Sequence, residues 1–482
     1  MPSKGMDLYG FTPENDLPVS FDIKQPGSSH TTTINDTTPG TIFTRHIEVN
    51  TDLPFHVSGD YAMSAAGVNR SCEVNGFTGN ISNSNMNNML GNQQAQISSN
   101  AVVSYGFYDA GSGYGDVSYT SHHQNYACIG DANRPDWMAK MVANNKNAGT
   151  KPFSAFVLPG AHDAGMNTSQ NISELVSNVK NFSVIASVLF GSLALMLGVA
   201  VGAIIAVLSV ATNSLIERVI INLSITQKDT ITNMLNLGTR YFDFRPGYNA
   251  KIEGISVASG DGLYHQHNMI PGMAFNDFLH ETVAWLKAHP GEIVVVSLGF
   301  SGFYNDAMKP TADTLKQAIN AALSGSGITY GGPSDTSTSY NDLIKANKRL
   351  LFLNNGVGFN DASKYDSYSD GAYATLTPDP ILNQLKNMQH KPQNGAAYTV
   401  LQMQGTASAV SALWPKLATC TSDATSPLLM TKAYFDCTTY PWAEQNLASF
   451  DSKYPVVILN DFVDPHMSHI AEDATLLRAG QL

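Results

Sequence analysis

Charge is scarce in this chain. Only 14% of its 482 residues are Asp, Glu, Lys or Arg, and cations are the scarcer kind, 27 against 39 anions, for a formal net charge of -12. That deficit works against the counterion release on which nucleic-acid binding depends, so DNA and RNA are not expected partners. Cysteine is rarer: Cys72, Cys128, Cys420 and Cys437 are the only four, and none stands in the C-x-x-C spacing of a structural zinc site. Neither zinc nor any other metal or cofactor is therefore expected. Two early and two late cysteines suit one disulfide in each half, and four buried thiols suit the same spacing equally. The opening MPSKGMDLYGF lacks the apolar stretch of a secretory signal, so a secreted or membrane-peripheral location implies another export route or a signal already removed.

Apolar residues make up 43% of the chain, enough for a large core, and the length suits two domains. Residues 1–132 are rich in Ser, Thr, Asn and Gly, with short alternating stretches such as Thr41 to Val49 and Ala101 to Tyr108. Alternation between turns predicts a small all-β accessory module, a sandwich being the simplest form, which could take a glycan or another surface ligand. His122 and His123 stand in a polar stretch and read as surface residues, while His280, His289, His466 and His469 read as surface or capping residues.

From residue 133 to 482 the texture changes. Short apolar runs at Phe153 to Leu158, Tyr241 to Phe244, Ile293 to Leu298, Leu350 to Leu353, Tyr398 to Leu401 and Val456 to Leu459 look like strands buried on both faces. Between them Asn276 to Ala288 sets Phe278, Leu279, Val283 and Leu286 on one helical face, and Pro290-Gly291 ends the helix. Strand-helix alternation of this length predicts an α/β fold, a (β/α) barrel of TIM type that is closed or nearly closed, with irregular or incomplete closure allowed. Polar residues at the carboxyl ends of its strands would converge on one mouth.

Three polar clusters stand at predicted strand ends: Pro159-Gly160-Ala161-His162-Asp163-Ala164-Gly165, Thr239-Arg240-Tyr241-Phe242-Asp243-Phe244-Arg245, and Tyr264-His265-Gln266-His267. Alternation puts Asp243 and Arg245 on one face of their strand, opposite Phe242 and Phe244. Two imidazoles, a guanidinium and carboxylates suit phosphodiester cleavage: one His takes the proton of the attacking hydroxyl, the other protonates the leaving oxygen, and Arg binds the phosphoryl oxygens. Taken singly, a His-Asp dipeptide or an Asp-x-Arg is more often structural; order and placement carry the reading.

Taken in order, these motifs resemble the catalytic X-domain of the phosphatidylinositol-specific phospholipase C superfamily, especially its bacterial branch. The likeness adds Trp137-Met138, the His-Pro-Gly-Glu-Ile junction before Val294, and the late Val456-Val457-Ile458-Leu459-Asn460-Asp461-Phe462, and covers about Arg134 to the C-terminus. The resemblance implies His162 as general base oriented by Asp461. It implies Asp163, Arg245 and a second histidine as the group that stabilises the phosphoryl and protonates the leaving alkoxide, with Asp243 positioning Arg245. Tyr264-His265 resembles the family's Tyr-His-Gly strand end, which favours His265, yet Gln266 replaces the glycine and His267 shares a strand face with His265, so both stay candidates. In calcium-dependent relatives an acidic ligand stands where Arg245 stands here, which implies metal-independent cleavage of a phospholipid through a cyclic phosphate. The expected partners are then a phospholipid substrate and a membrane surface.

The headgroup is less legible, because Ser297-Leu298-Gly299, Leu353-Asn354-Asn355 and Gln402-Met403-Gln404-Gly405 replace the polar or basic residues that hold inositol in bacterial relatives. Two other readings stand beside this one: a membrane-binding or pore-forming protein on the same scaffold, and a metal-dependent phospholipase D-like phosphodiesterase, which Arg245 disfavours.

Residues 181 to 216 carry no charge and include Gly198-x-x-x-Gly202. The run is long enough to span a bilayer, but one crossing would split the barrel between two sides. A helical hairpin beside the mouth, entering a membrane through Val184, Leu189, Phe190, Leu195, Leu197 and Ile204, is the expected form, against a pair of helices packed on protein.

Overall fold

The computed structural model describes residues 5–13, 16–35, 38–110, 122–168, 170–181, 187, 189, 212–354, 357–359, 364–368, 375–389, 395–405 and 426–480. The first part is β apart from one short helical segment at Asn88–Asn92. One five-stranded sheet pairs, in order, Ile42–Glu48, Gly5–Phe11, His123–Asp131, Ala101–Tyr108 and Gln96–Ile97; a second pairs Thr32–Asn35, Val19–Lys24, Ser58–Ala65, Val68–Asn75 and Ile81–Ser82. The inner faces share one core, in which Met6, Leu8, Phe21, Tyr61, Met63, Val74, Val103, Tyr105, Phe107 and Ile129 meet. Val19–Lys24 alternates buried and half-buried, as a strand with one wet face should.

The first sheet departs from that rule. All eight residues of Ala101–Tyr108 are buried. Its second face packs on the rest of the chain: Val102 joins the barrel core, and Tyr108 and Tyr126 join a second apolar cluster with Met166, Ile220, Met430 and Phe462. The sequence suggested half-exposed strands there; the surplus apolar positions are a docking face. His123 is likewise buried, accepting the Ala110 N–H at Nδ1 (3.1 Å) and donating from Nε2 to the Gly79 carbonyl (2.8 Å), and so is not a surface residue. His466 is buried too, stacked 3.5 Å from Phe11 and bonded to Glu444 (2.8 Å). His289 stacks 4.1 Å from Trp285 and bonds Asp136 (2.8 Å). Cys72 and Cys128 are free thiols placed in different apolar clusters, Cys437 is free, and Cys420 lies outside the described residues.

The second part is built on an eight-stranded sheet of parallel strands, in the order Thr329–Gly331, Lys348–Asn354, Val294–Leu298, Tyr241–Phe244, Val157–Ala161, Val456–Asn460, Tyr398–Gln402, Tyr365–Asp366. The first strand sits at the centre, flanked by the second and the last, which is the neighbour relation of a barrel. Closure is incomplete. The two outermost strands do not pair among the described residues, and Thr329–Gly331 lies outside Lys348–Asn354 rather than between it and Val294–Leu298. The sheet is a curled half-barrel. The two edge strands, of three residues and two, are too short to show in an apolar pattern.

Phe153–Ala155 is a 3-10 turn, so the first strand begins at Val157, and the helix read at Asn276 to Ala288 begins at Phe275. Tyr264–His267 is not a strand of the main sheet. It pairs antiparallel with Pro246–Gly247 and Ile270–Ala274 in a separate three-stranded sheet over the mouth. Of the apolar run, Val184, Phe190, Leu195, Leu197 and Ile204 lie outside the described residues. Leu189 is fully buried in the cluster with Ile172 and Leu175, a correction to its expected membrane contact: a side chain enclosed by protein has no surface to offer lipid. No described helix is long and apolar enough to cross a membrane.

Candidate active site

The strand Val157–Ala161 delivers His162 and Asp163 into a turn held from three sides. The His162 N–H donates to the Asn460 carbonyl (3.1 Å); Thr226 Oγ1 donates to the carbonyls of His162 and Asp163 (3.0 Å each); and Gln227 Nε2 donates to the His162 and Asn460 carbonyls (3.1 and 3.0 Å). Asp163 takes a left-handed backbone, φ +42°, which a non-glycine residue adopts only when its surroundings impose it. That kink aims its carboxylate inward, where it is fully buried.

Asp163 is the hub. Its carboxylate lies 2.8 Å from Arg245 Nη2, 3.5 Å from His162 Nε2, 3.4 Å from His265 Nε2 and 3.9 Å from His267 Nε2. Burial would raise its pKa, but Arg245, His162 and His265 together hold it well below the usual carboxylate range. Asp461, also buried, accepts from His162 Nδ1 (2.9 Å), and its backbone N–H donates to Asn460 Oδ1 (2.9 Å). That bond fixes the imidazole and leaves Nε2 toward the mouth. Burial disfavours the charged form of His162, yet the carboxylates of Asp163 and Asp461 outweigh it and push the group up to about 9.

Asp243 and Arg245 share a strand face, with Phe242 and Phe244 buried opposite, as alternation requires. Arg245 Nη2 donates to Asp243 Oδ2 (3.5 Å), so the guanidinium is held between two carboxylates. Gly299 gives it room, since a Cβ there would stand 3.2 Å from Arg245 Cγ.

The two candidate histidines have different environments. His265 is fully buried, its Nδ1 accepting the Arg245 N–H (3.2 Å), its ring edge-on to Phe244 at 4.9 Å and its Cβ against Gly165. His267 keeps 24% of its side chain exposed, close to the 22% of His162 and 23% of Arg245. Burial and the neighbouring cations lower the His267 pKa to about 4, against the pull of Asp163.

His162, Asp163 and Asp243 place ligand atoms within 4.8 Å of one another, so this cluster was tested as a cation site. A calcium ion takes roughly six to eight oxygen ligands. Two carboxylates and an imidazole fall short of that, and the Arg245 guanidinium already pairs with both carboxylates. The donor set does not fit the metal of calcium-dependent relatives.

No family model matches the chain. Among curated proteins it is 24% identical over 195 residues to PI-PLC X domain-containing protein 1 of Danio rerio, and 28% identical over 172 residues to PI-PLC X domain-containing protein 2 of Mus musculus. Over that stretch the chain is similar to PI-PLC X-domain proteins. The matches cover 40% and 35% of this chain and 53% and 39% of those X-domain proteins, so the chain spans about half the length of the relatives or less. Two structures of phosphatidylinositol-specific phospholipase C from Staphylococcus aureus superpose on 71% and 70% of the chain and on 97% of theirs, at 14% and 13% identity and TM-scores of 0.40 and 0.39.

Several X-domain motif residues are structural. Arg240 and Glu292 form a fully buried pair (2.7 Å), with the guanidinium over the rings of Trp137 and Trp285, and Glu292 Oε1 accepts the Ala139 N–H (2.9 Å). At the positions where the X-domain headgroup pocket was expected, Ser297 is buried and bonds Tyr398 (3.2 Å), while Gln402 reaches Ser367 (3.1 Å) and Gln404 reaches Gln402 (3.2 Å). Asn355 lies outside the described residues. Sequence reasoning missed Thr226, Gln227, Asn460 and Lys432. Thr226, Gln227 and Lys432 stand in no motif, and Asn460 has no assigned role within the run Val456 to Phe462; long-range contacts reveal all four.

Proposed function

We propose that the chain is a phospholipase C-like phosphodiesterase, residues 133–482 forming the catalytic unit and residues 1–132 an accessory β-rich module. It would cleave a phospholipid headgroup at a membrane surface through a cyclic phosphate, without a metal. The observation that carries this is the convergence of His162 and Arg245 on the buried Asp163, with Asp461 behind His162. His162 Nε2 takes the proton of a neighbouring headgroup hydroxyl, which then attacks phosphorus; Asp461 and Asp163 stabilise the imidazolium that forms. Arg245 faces the non-bridging oxygens, held by Asp163 and Asp243. Attack from within the substrate gains the rate advantage of any intramolecular reaction. The expected product from phosphatidylinositol vesicles is a cyclic inositol phosphate seen by phosphorus NMR, at an unchanged rate in EDTA. Loss of activity in EDTA with recovery in calcium would overturn the role given to Arg245.

Exposure favours His267 over His265 as the group that reaches the leaving oxygen, a revision of the preference drawn from the sequence. A bound phosphate anion beside His267 would raise its lowered pKa toward a proton donor's range. His265, enclosed between Phe244 and Asp163, is then a positioning residue for Asp163 and Arg245. A leaving-group comparison tests the division. His267→Ala should cost about 10²–10⁴-fold on the lipid and little on a p-nitrophenyl phosphodiester of the same headgroup, whose leaving group needs no proton. His265→Ala should cost the same on both. The reverse pattern assigns the acid to His265.

A further inference from the structure

A second cluster of side chains able to bind a metal lies on the β module. Asp7 and His46 are direct partners across the antiparallel pair Gly5–Phe11 and Ile42–Glu48, and Glu48 is opposite Gly5 in the same register. On the other side of Gly5–Phe11 the parallel pairing sets Met6 beside His123, which brings the preceding His122 beside Gly5. Side chains two apart share a face, so Asp7, His46, Glu48 and His122 all rise from the same side of three adjacent strands. Gly5 sits beneath them. A Cβ there would stand 2.2 Å from His46 Cε1 and 3.3 Å from His122 Cδ2, so the missing side chain is what lets the two rings approach to 4.5 Å between centroids.

We propose that Asp7, His46 and His122 form a zinc site, with Glu48 as the outer partner of His46. His46 Nδ1 lies 2.6 Å and His122 Nδ1 3.3 Å from the two Asp7 oxygens, and the three ligand atoms all fall within 4.8 Å of one another. A tetrahedral zinc with bonds of about 2.0–2.2 Å to imidazole and carboxylate sets its ligand atoms roughly 3.3 Å apart, a spacing this trio reaches with side-chain adjustment. The other ring nitrogen of His46 lies 3.1 Å from Glu48 Oε1, and a carboxylate behind a ligating imidazole fixes its tautomer and strengthens it as a ligand. Two imidazoles with one carboxylate suit a borderline ion such as zinc better than calcium or magnesium. The absence of C-x-x-C motifs, which excluded a thiolate centre, does not bear on this one. The side chains are 24–38% exposed, open to entry of an ion and of a water as fourth ligand. The site would clip the edge strand Ile42–Glu48 to its neighbours.

The full chain, stripped with chelator and titrated with zinc by calorimetry and with cobalt by visible absorption, tests this. One equivalent should bind, with cobalt giving the bands of a tetrahedral nitrogen-oxygen site. Binding should vanish in His46→Ala and in Asp7→Asn, weaken about tenfold or more in Glu48→Gln, and persist in His162→Ala, which removes a ligand from the catalytic cluster instead. Far-UV circular dichroism separates loss of binding from loss of fold, and the near-isosteric Asp7→Asn keeps the test open if an alanine variant unfolds. Failure of the wild-type chain to bind either ion at about 100 μM, survival of binding in the His46→Ala, His122→Ala double variant, or loss of binding in His162→Ala would each overturn the assignment.

Discussion

Replacing His162 with alanine is expected to lower turnover on phosphatidylinositol vesicles by about 10²–10⁴-fold, the range that a positioned general base contributes. The pH dependence makes this more than a loss-of-function test. In the resting site the carboxylates of Asp163 and Asp461 outweigh burial and raise the His162 pKa to about 9, so at neutral pH most molecules hold a proton on the nitrogen that must accept one. kcat/KM should therefore rise with pH toward 9, because the active fraction is the deprotonated one. Asp461→Asn removes one carboxylate, so the rise should move to lower pH as maximal turnover falls. A kcat/KM that instead falls between pH 7 and 9 would make His162 the proton donor and His267, lowered to about 4, the acceptor. Stability runs the other way: a histidine whose folded pKa is raised stabilises the fold fully below its ordinary value near 6.5 and loses that contribution as pH rises through 9. The conditions that favour catalysis thus weaken the site's own electrostatic cohesion.

The second large effect is expected at a residue far from any motif. Lys432, on the helix Pro427–Asn446, is buried, with Nζ bonded to Asp436 and Asp464 and 3.0 Å from Tyr440 Oη. Asp436 Oδ1 accepts from Asn460 Nδ2 (2.9 Å), and Asn460 Oδ1 holds the Asp461 backbone N–H. Lys432 thereby orients the residue that orients His162. Lys432→Met should destabilise the fold by about 3–5 kcal/mol, since it strands two carboxylates in the interior. Denaturant midpoints measured against pH check the cause. The deficit should shrink on the acid side as Asp436, which burial already raises to about 6, takes up a proton. For the positioning role the readout is the His162 titration: removal of the cation should move the rise of kcat/KM to higher pH, whereas a variant that is merely unstable would lose amplitude at an unchanged midpoint.

Local information in the chain reached a long way. The alternation Phe242-Asp243-Phe244-Arg245 depends on neighbours within a few residues and stands as read, while the turn read from Pro159 begins only at His162, because Pro159 to Ala161 extend the strand. Readings that needed distant neighbours did not fare as well. Ala101–Tyr108 looks half-exposed until a second body covers its outer face, and His123 looks polar until Gly79 and Ala110 enclose it. The place of Thr329–Gly331 beyond Lys348–Asn354 depends on a sheet edge that no periodicity encodes. His265 and His267 both reach Asp163, although the strand is irregular between Tyr264 and Gln266, and the exposure that separates them is set by Phe244 and Gly165, residues of two other segments.

The β module has no free linker to the catalytic body. The strand Ala101–Tyr108 is buried on both faces, with Lys228 reaching Ser104 (3.3 Å) and Asp229 accepting the Ala95 N–H (2.5 Å) across the junction. A tethered adhesion domain raises local concentration by an amount that tether length sets. Here that quantity is replaced by an angle. Were the module to grip a surface, it would fix the tilt at which the mouth meets it, and adhesion would then aid the proposed catalysis only on targets that present the scissile bond in that one orientation.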